Sequence, residues 1–464
     1  MTPIALGVVC RRTGGRLVGG AAAGTLVTGP VVIDSRRSEP GSLFVCVPGE
    51  HADGHDFAAR AVDAGAVAAL AARDVGVPAV VVADPQHALG ELAAAVLSSA
   101  PQCTVVGVTG SSGKTSTKDL MGQVFARAGA TVAPEGSFNN ELGLPLTVLR
   151  IDEHTRTLVC EYSARGVGHI RELCRIAPPA IAVVLNVGAA HLGEFGSRAV
   201  VAEAKGELVE ALPAEGVAVL NADDPLVLGM RSRTAAKVLT FGQSAAADVR
   251  ITDLSLDDEA RARFRLVTPE GAAAVELRVH GAHQAGNAAA AAAAALAAGL
   301  DLDTIAAALS AAEARSAHRM SLRRRGDGLL VIDDAYNANP ESTAAALDAL
   351  AALASGRRRW AVLGEMLELG DESGPLHREI GRRAASSGVD ELVAVGMAEI
   401  AAGADATAGW HGRARTVPDP AAAAGLVLTE VTADDAVLVK ASNSIQLWRV
   451  ADALLETVPA GANA

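Results

Sequence analysis

Lys114 and Thr115 stand side by side near the end of "VVGVTGSSGKTS", Val105 to Ser116, a run punctuated by Gly107, Gly110 and Gly113. A cation and a hydroxyl placed after glycines suit a polyphosphate. Backbone N–H groups of Gly110, Ser111, Ser112, Gly113 and Lys114 can converge on one phosphate, because glycine permits close approach. The helix-like run beginning with Thr115 and Ser116 adds its positive end. Lys114 then serves the terminal phosphates and Thr115 a magnesium ion. The commoner spacing, G-x-x-x-x-G-K-[ST], requires glycine at 108, where this chain has Val108. The variant loop predicts a nucleotide site without choosing among a kinase, a GTPase, a motor and another enzyme.

Other residues could share that chemistry. Glu161 closes the apolar run "TLVCE", at the carboxyl end of a strand, where α/β sheets present site residues. Arg165, on the Gly-containing "SARGVGHI", suits a salt bridge or a bidentate grip on an anionic substrate. By residue type alone His191 reads as a structural histidine and Lys205 as a surface lysine on a helix. Asn287 could cap or pack, Arg319 and Asp334 could form an interdomain ion pair, and Tyr336 could pack. Ser35 and Arg36 read as a surface turn.

The elements that must position these residues alternate. From Thr104 onward strand-like runs ("TVVGVTG", "TLVCEY", "IAVVLNVG", "GVAVLNADD") are separated by helical patterns, which predicts a mainly parallel sheet covered on both faces. Between about Asp248 and His280 short alternating segments predict an antiparallel extension at one edge. An Ala-rich helix follows over Gly286–Gly299, with high intrinsic propensity. A second strand–helix series runs from "GLLVIDDAYNANP" through "RRWAVLGEM", "ELVAVG" and "DAVLVKAS" to an amphipathic helix at Ile445–Leu455. The fold class is therefore α/β with three domains. A small N-terminal α/β domain (1–100) precedes a central P-loop-type domain with a mainly parallel sheet (101–315) and a C-terminal Rossmann-like domain (316–464). The polar stretch from Ala311 to Arg325 forms the second junction.

Composition narrows the function classes. The chain has 464 residues, 50% hydrophobic and 20% charged, enough for several cores and contrary to disorder. A formal net charge of -13 opposes nonspecific binding to nucleic acid or anionic lipid. The runs Arg323–Arg325 and Arg357–Arg359 read as solvated surface. Five scattered cysteines without a C-x-x-C pair read as reduced thiols, mostly in cores. No segment reads as a signal peptide or membrane span, so the expectation is a cytoplasmic protein, with a monomer as the default state.

The loop spelled T-G-x-x-G-K-T is followed, in order, by "SFNNELGLP", "EYSARGVGHI", "NVGAAHLGEFGS", "AEAKGEL", "GAHQAGNAAAA", "AHRM" and "IDDAYNANPES". This series resembles the Mur ligase superfamily, ATP-dependent enzymes that join a carboxylate to an amine. With "GEMLELGDES" and the N-terminal "DSRRSEPGSLFVCVPGEHADGHDF", the resemblance covers almost the whole chain. It points to the branch adding D-alanyl-D-alanine to UDP-N-acetylmuramoyl-tripeptide in peptidoglycan precursor synthesis.

The resemblance implies ATP, two Mg²⁺ ions and a carbamylated lysine at Lys205. Thr115 and Glu161 would ligate one ion, and His191 and Lys205 the other. It implies adenine at Asn287, ATP contacts at Arg319, Asp334 and Tyr336, and the uridine nucleotide at Ser35 and Arg36. The UDP-linked acid would meet Asn139, Asn140 and Arg165. Two departures stand out: Ala441, Asn443 and Ser444 occupy a segment that is often Gly-Ser-Arg-Gly, and Tyr162 replaces a common methionine. Competing readings are a ligase of specialised metabolism and a noncatalytic nucleotide-binding regulator. The set Lys114, Thr115, Glu161, His191 and Lys205 argues against the regulator.

Overall fold

A computed structural model describes residues 1–49, 52–188 and 192–456. Three larger sheets follow one another along the chain, besides a small pairing of Ile4–Ala5 with Leu26–Val27. The first sheet has five strands, in the order Arg16–Val18, Ala79–Val81, Ala68–Ala71, Leu43–Val45 and Val31–Val32. Only its first pair is antiparallel. The helix Pro85–Ser98 leads away from it, started by Asp84, whose carboxylate accepts the N–H groups of Gln86 and His87.

The central sheet has nine strands. Thr104–Thr109 lies between Thr157–Glu161 and Ile181–Val184, parallel to both, and Val217–Asn221 and Lys237–Gly242 continue the parallel series. These strands are apolar runs because helices cover both their faces. Val249–Leu256, Arg261–Thr268 and Gly271–His280 follow as the expected antiparallel edge, with alternating buried and exposed residues, and Thr131–Val132, parallel to Thr157–Glu161, forms the other edge. The Ala-rich helix spans Gln284–Ala297, slightly earlier than its sequence predicts, because Gly299 turns left-handed (φ +87°) behind it. Ala288 to Ala295 are all fully buried, so this helix is surrounded on every side, and it packs on Lys114–Phe125. Methyl side chains make that close approach possible.

The C-terminal sheet runs Ser321–Arg324, Leu330–Asp333, Asp435–Lys440, Arg358–Gly364, Glu391–Val395 and Arg413–Val417, parallel except for its first pair. Two expectations change here. The polar junction stretch already forms an edge strand from Ser321, exposed at Arg323 and Arg324. The arginine triplets are not simply solvated surface: Arg325 is buried and paired with Asp327 at 2.7 Å. Arg357 Nη1 donates to the carbonyls of Gly328, Ala433 and Asp435. Arg325 Nη1 also donates to the carbonyl of Leu454 in the last helix, so both guanidiniums tie segments distant in sequence. The last helix begins at Trp448 rather than Ile445, since Asn443–Ile445 forms a 3₁₀ turn and Gln446 is left-handed (φ +57°). Cys46, Cys160 and Cys174 are buried and all five cysteines are free, as expected of reduced thiols.

Candidate active site

Carboxyl ends of strands from two sheets face one cleft of about 830 Å³. From the central sheet come Ser111 to Ser116 after Thr104–Thr109, Glu161 at the end of its strand, Leu185 and Asn186, and Asn221. From the C-terminal sheet come Asp334, Tyr336 and Asn337 after Leu330–Asp333, and Lys440 at the end of Asp435–Lys440. Parallel α/β sheets build their ligand sites in this place.

The phosphate loop is held open by contacts on its outer side. Ser112 N donates to Asn186 Oδ1 at 2.9 Å, and Gly188 N donates to Ser111 Oγ at 2.9 Å. Gly113 is left-handed (φ +81°), and a Cβ there would lie 2.6 Å from Asn287 Oδ1, so glycine is required where the loop turns into the helix Lys114–Phe125. Lys114 Nζ donates to Gly110 O at 2.7 Å. Loss of solvent pushes the Lys114 ammonium below its ordinary pKa, against the pull of Glu161.

Thr115, Glu161 and Asn139 form one hydrogen-bonded chain. Thr115 Oγ1 donates to Glu161 Oε2 at 3.1 Å, and Asn139 Nδ2 donates to Glu161 Oε1 at 2.9 Å. Arg319, reaching in from the C-terminal side, donates from Nη2 to Thr115 Oγ1 and to Ser137 Oγ, each at 3.2 Å. Its guanidinium carbon lies 4.2 Å from the centre of the Tyr336 ring, which holds it over the loop. Arg319 Nε is buried without a hydrogen-bond partner among the described residues, a donor suited to an anion.

Asp334 and Lys440 form a buried pair at 2.6 Å, and Asp334 Oδ1 also accepts Met320 N–H. Arg319 and Asp334 therefore do not pair with each other. Asn287 Nδ2 donates to Gln284 Oε1 at 2.9 Å beside the loop. Asn140 caps the turn into Gly143–Val148 by accepting Gly143 N–H. Arg165 lies at the cleft mouth, mostly exposed, 3.8 Å from Glu368 of the C-terminal domain.

The remaining expected residues lie elsewhere. Lys205, on the helix Arg198–Glu210, is buried but does not line the cleft; burial, aided by the charge of Lys114, pushes its pKa well below the ordinary lysine value. Gly110, at the start of the loop, is buried and does not line the cleft. Ser35 is buried in the N-terminal domain, and Arg36 pairs with Asp34 at 2.7 Å, holding that carboxyl down to about 2. His191 falls outside the described residues. Sequence reasoning missed Ser137, Asn186, His283, Gln284, Glu341 and Lys440 as cleft residues. Lys440 left a usable signal, a single charge ending the apolar run "DAVLV".

Fold and cleft together define a class: a three-domain α/β nucleotide-binding protein whose phosphate loop opens between the central and C-terminal sheets. Residues 30–97, 108–295 and 318–443 match, in turn, the catalytic domain of the Mur ligase family, the Mur ligase middle domain and the glutamate ligase domain of Mur ligases. A UDP-N-acetylmuramoyl-tripeptide–D-alanyl-D-alanine ligase from Mycobacterium tuberculosis is 49% identical, over 95% of this chain and 96% of its own. MurF from Acinetobacter baumannii superimposes with a TM-score of 0.87 at 32% identity, over 98% of this chain and 100% of its own. MurF from Thermotoga maritima, in complex with ADP, gives 0.79 at 31% identity, over 93% and 98%. The chain belongs to the Mur ligase family, ATP-dependent enzymes that form carbon–nitrogen bonds.

Proposed function

We propose that this protein joins D-alanyl-D-alanine to UDP-N-acetylmuramoyl-tripeptide at the expense of ATP, in peptidoglycan precursor synthesis. The observation that carries the reading is the constellation Lys114, Thr115, Glu161 and Arg319, gathered from two domains on one phosphate loop. A 49% identity that covers 95% of this chain and 96% of an enzyme named for that reaction supports the choice of substrates.

A carboxylate is a poor electrophile, and its oxygen a poor leaving group. Attack of its oxygen on the γ-phosphorus of ATP expels ADP and forms an acyl phosphate. The dipeptide nitrogen, having lost one proton from its ammonium form, then attacks the acyl carbon, and the tetrahedral intermediate expels phosphate and releases a second proton from nitrogen to leave the neutral amide. Negative charge on the transferring group must be met by fixed donors. Lys114 and Arg319 supply cationic N–H groups from opposite walls, and the backbone of Ser111 to Lys114 cradles the phosphates.

The donor set fits magnesium. Thr115 and Glu161 offer hard oxygens 3.1 Å apart, and no group of three or more His, Cys, Asp or Glu gathers among the described residues. Few protein ligands are needed, because Mg²⁺ keeps waters and binds substrate phosphates. Bound there, the ion would neutralise phosphate charge. Lys205, with His191, is the proposed support of a second ion. A buried lysine amine that has given up its ammonium proton can attack CO₂, losing one further proton and becoming a carbamate anion.

Asn287, with Asp334 and Tyr336, is the proposed seat of the adenosine, Ser35 and Arg36 that of the uridine nucleotide, and Asn139, Asn140 and Arg165 that of the acid. The proposed setting is the cytoplasm and the proposed state a monomer; among the described residues no helix is long and apolar enough to cross a membrane. Incubation with ATP, Mg²⁺, UDP-N-acetylmuramoyl-tripeptide and D-alanyl-D-alanine should yield the pentapeptide product and one phosphate per amide formed. Absence of product from folded, ATP-binding protein overturns the reading.

A further inference from the structure

Glu207 is a carboxylate with 1% exposure that the chemistry above does not use. Its Oε1 accepts the backbone N–H of Gly168 at 2.5 Å, and its Oε2 accepts that of Arg171 at 3.0 Å. Both donors belong to the start of the helix His169–Ile176, whose N-cap, Gly168 (φ +98°), has no side chain to satisfy them. A carboxylate bridging two such groups makes charge-assisted bonds reinforced by the helix dipole. The Arg171 guanidinium adds only a half-exposed contact, 3.5 Å from Oε1.

The segment so fixed is Ser163 to Gly168. At its other end Tyr162 N donates to Val108 O at 2.8 Å, and Ser163 N donates to Asn139 O at 3.0 Å. Between these anchors Ser163, Ala164 and Arg165 enter the cleft, and His169 follows them. Gly166 and Gly168 give the segment little stiffness of its own, and Val167 is exposed. Its geometry therefore depends on what holds its ends. Glu207 also shares the helix Arg198–Glu210 with Lys205, so one rigid element carries both the loop anchor and the buried lysine.

We propose that Glu207 is a positioning residue: its buried carboxylate fixes the Ser163–Gly168 loop so that Arg165 meets an anionic group of the acid substrate. This rests on the ligase reading above.

The test is Glu207→Gln, which keeps shape but turns one acceptor into an N–H₂ facing an N–H. KM for UDP-N-acetylmuramoyl-tripeptide should rise about tenfold, as loss of one charge-assisted bond would give, while KM for ATP stays within about twofold. Arg171→Ala, which leaves both backbone bonds in place, should leave both KM values within about twofold. With Arg165→Ala as background, Glu207→Gln should add less than about twofold, because the two act through one contact. An unshifted KM for the acid, an equal rise for ATP, or multiplying effects in the double variant overturns the proposal. If Glu207→Gln does not accumulate folded, Glu207→Asp, which keeps the charge but withdraws the carboxylate, is judged by the same criteria. Wild-type turnover with an unshifted variant sinks the positioning role alone, whereas a wild-type enzyme that makes no product sinks the ligase reading with it.

Discussion

Lys114 and Lys205 are both lysines pushed below their ordinary pKa by burial, yet they make opposite demands on the protein. Lys114 has a carbonyl partner on its own loop and Glu161 nearby, and it faces the phosphate site. Lys114→Ala should lower turnover at least about 10²-fold with an unchanged circular dichroism spectrum, as loss of a fixed donor to a transition state does; near-normal phosphate release would refute its role. Among the described residues Lys205 has no such compensation in its buried place. With its folded pKa below the unfolded one, the unfolded chain binds more protons between those values, so stability rises with pH across that window. In CO₂-free buffer Lys205→Met should therefore be more stable than wild type at pH 7, by on the order of 1 kcal/mol, with the gap closing toward pH 10. Urea titrations at both pH values check the sign. Lys205→Ala should lose activity and recover part of it with short-chain carboxylates; full activity without them ends the carbamate hypothesis. The phosphate loop and Glu161 were legible because each is spelled locally, at a strand end. Ser137, Asn186 and Glu341 were not, since only folding brings their distant segments to the loop, and nothing in "KGELVE" distinguishes buried Glu207 from exposed Glu210.

Elements divide the labour along each parallel sheet. Carboxyl ends of strands carry the site, and amino ends carry the ties that keep the strands aligned. In the C-terminal sheet Asp435 opens the strand that ends at Lys440. It accepts hydrogen bonds from Arg358 Nε (3.1 Å) and Nη2 (2.7 Å), Trp360 Nε1 (3.2 Å) and Thr432 N (2.8 Å). Burial alone would raise the pKa of this carboxyl, but those donors, Arg358 foremost, hold it below the usual aspartate value. A depressed carboxyl pKa stabilises the fold above the unfolded pKa and loses that contribution as pH falls through the folded one. Asp435→Asn should cost about 2 kcal/mol at pH 7, since it takes the carboxylate from Arg358 and leaves that guanidinium with the Glu430 carbonyl at 2.8 Å and Glu391 at 4.0 Å, and much less near pH 2. Equal losses at both pH values would refute the electrostatic account. The sequence hid this arrangement because "RRRW" carries the same letters as a solvated run. Its carbonyl and carboxylate partners lie in segments far along the chain. Strand order, the antiparallel edge and the Ala-rich helix were legible, because burial on two faces, on one face or all round leaves distinct apolar patterns.

At the scale of the molecule, the cleft works only if the central and C-terminal domains meet in register. Arg319 crosses to Thr115 and Ser137, Arg198 lies 3.3 Å from Glu341, and Arg165 approaches Glu368. The tightest crossing has no side chains. Gly193 N donates to Glu368 O at 3.0 Å, and a Cβ on Gly193 would lie 2.5 Å from Gly370 N and 2.8 Å from Gly370 Cα. Backbone faces backbone there, so an added methyl cannot be absorbed by a rotamer change. Gly193→Ala should push the "GEMLELGDES" loop away from the central domain while sparing the phosphate loop, which is held by Asn186 and Ser111 on its own side. ATP should then bind with nearly unchanged affinity. Turnover should fall about 10²-fold, the scale of loss when reacting groups sit about 1 Å out of place. Scattering separates the two effects. Wild type should contract on adding nucleotide and dipeptide as the domains close, whereas Gly193→Ala should bind nucleotide and remain expanded. Wild-type contraction and turnover in the variant would show that the glycine contact does not govern closure, leaving the crossing cation Arg319 as the link between the domains.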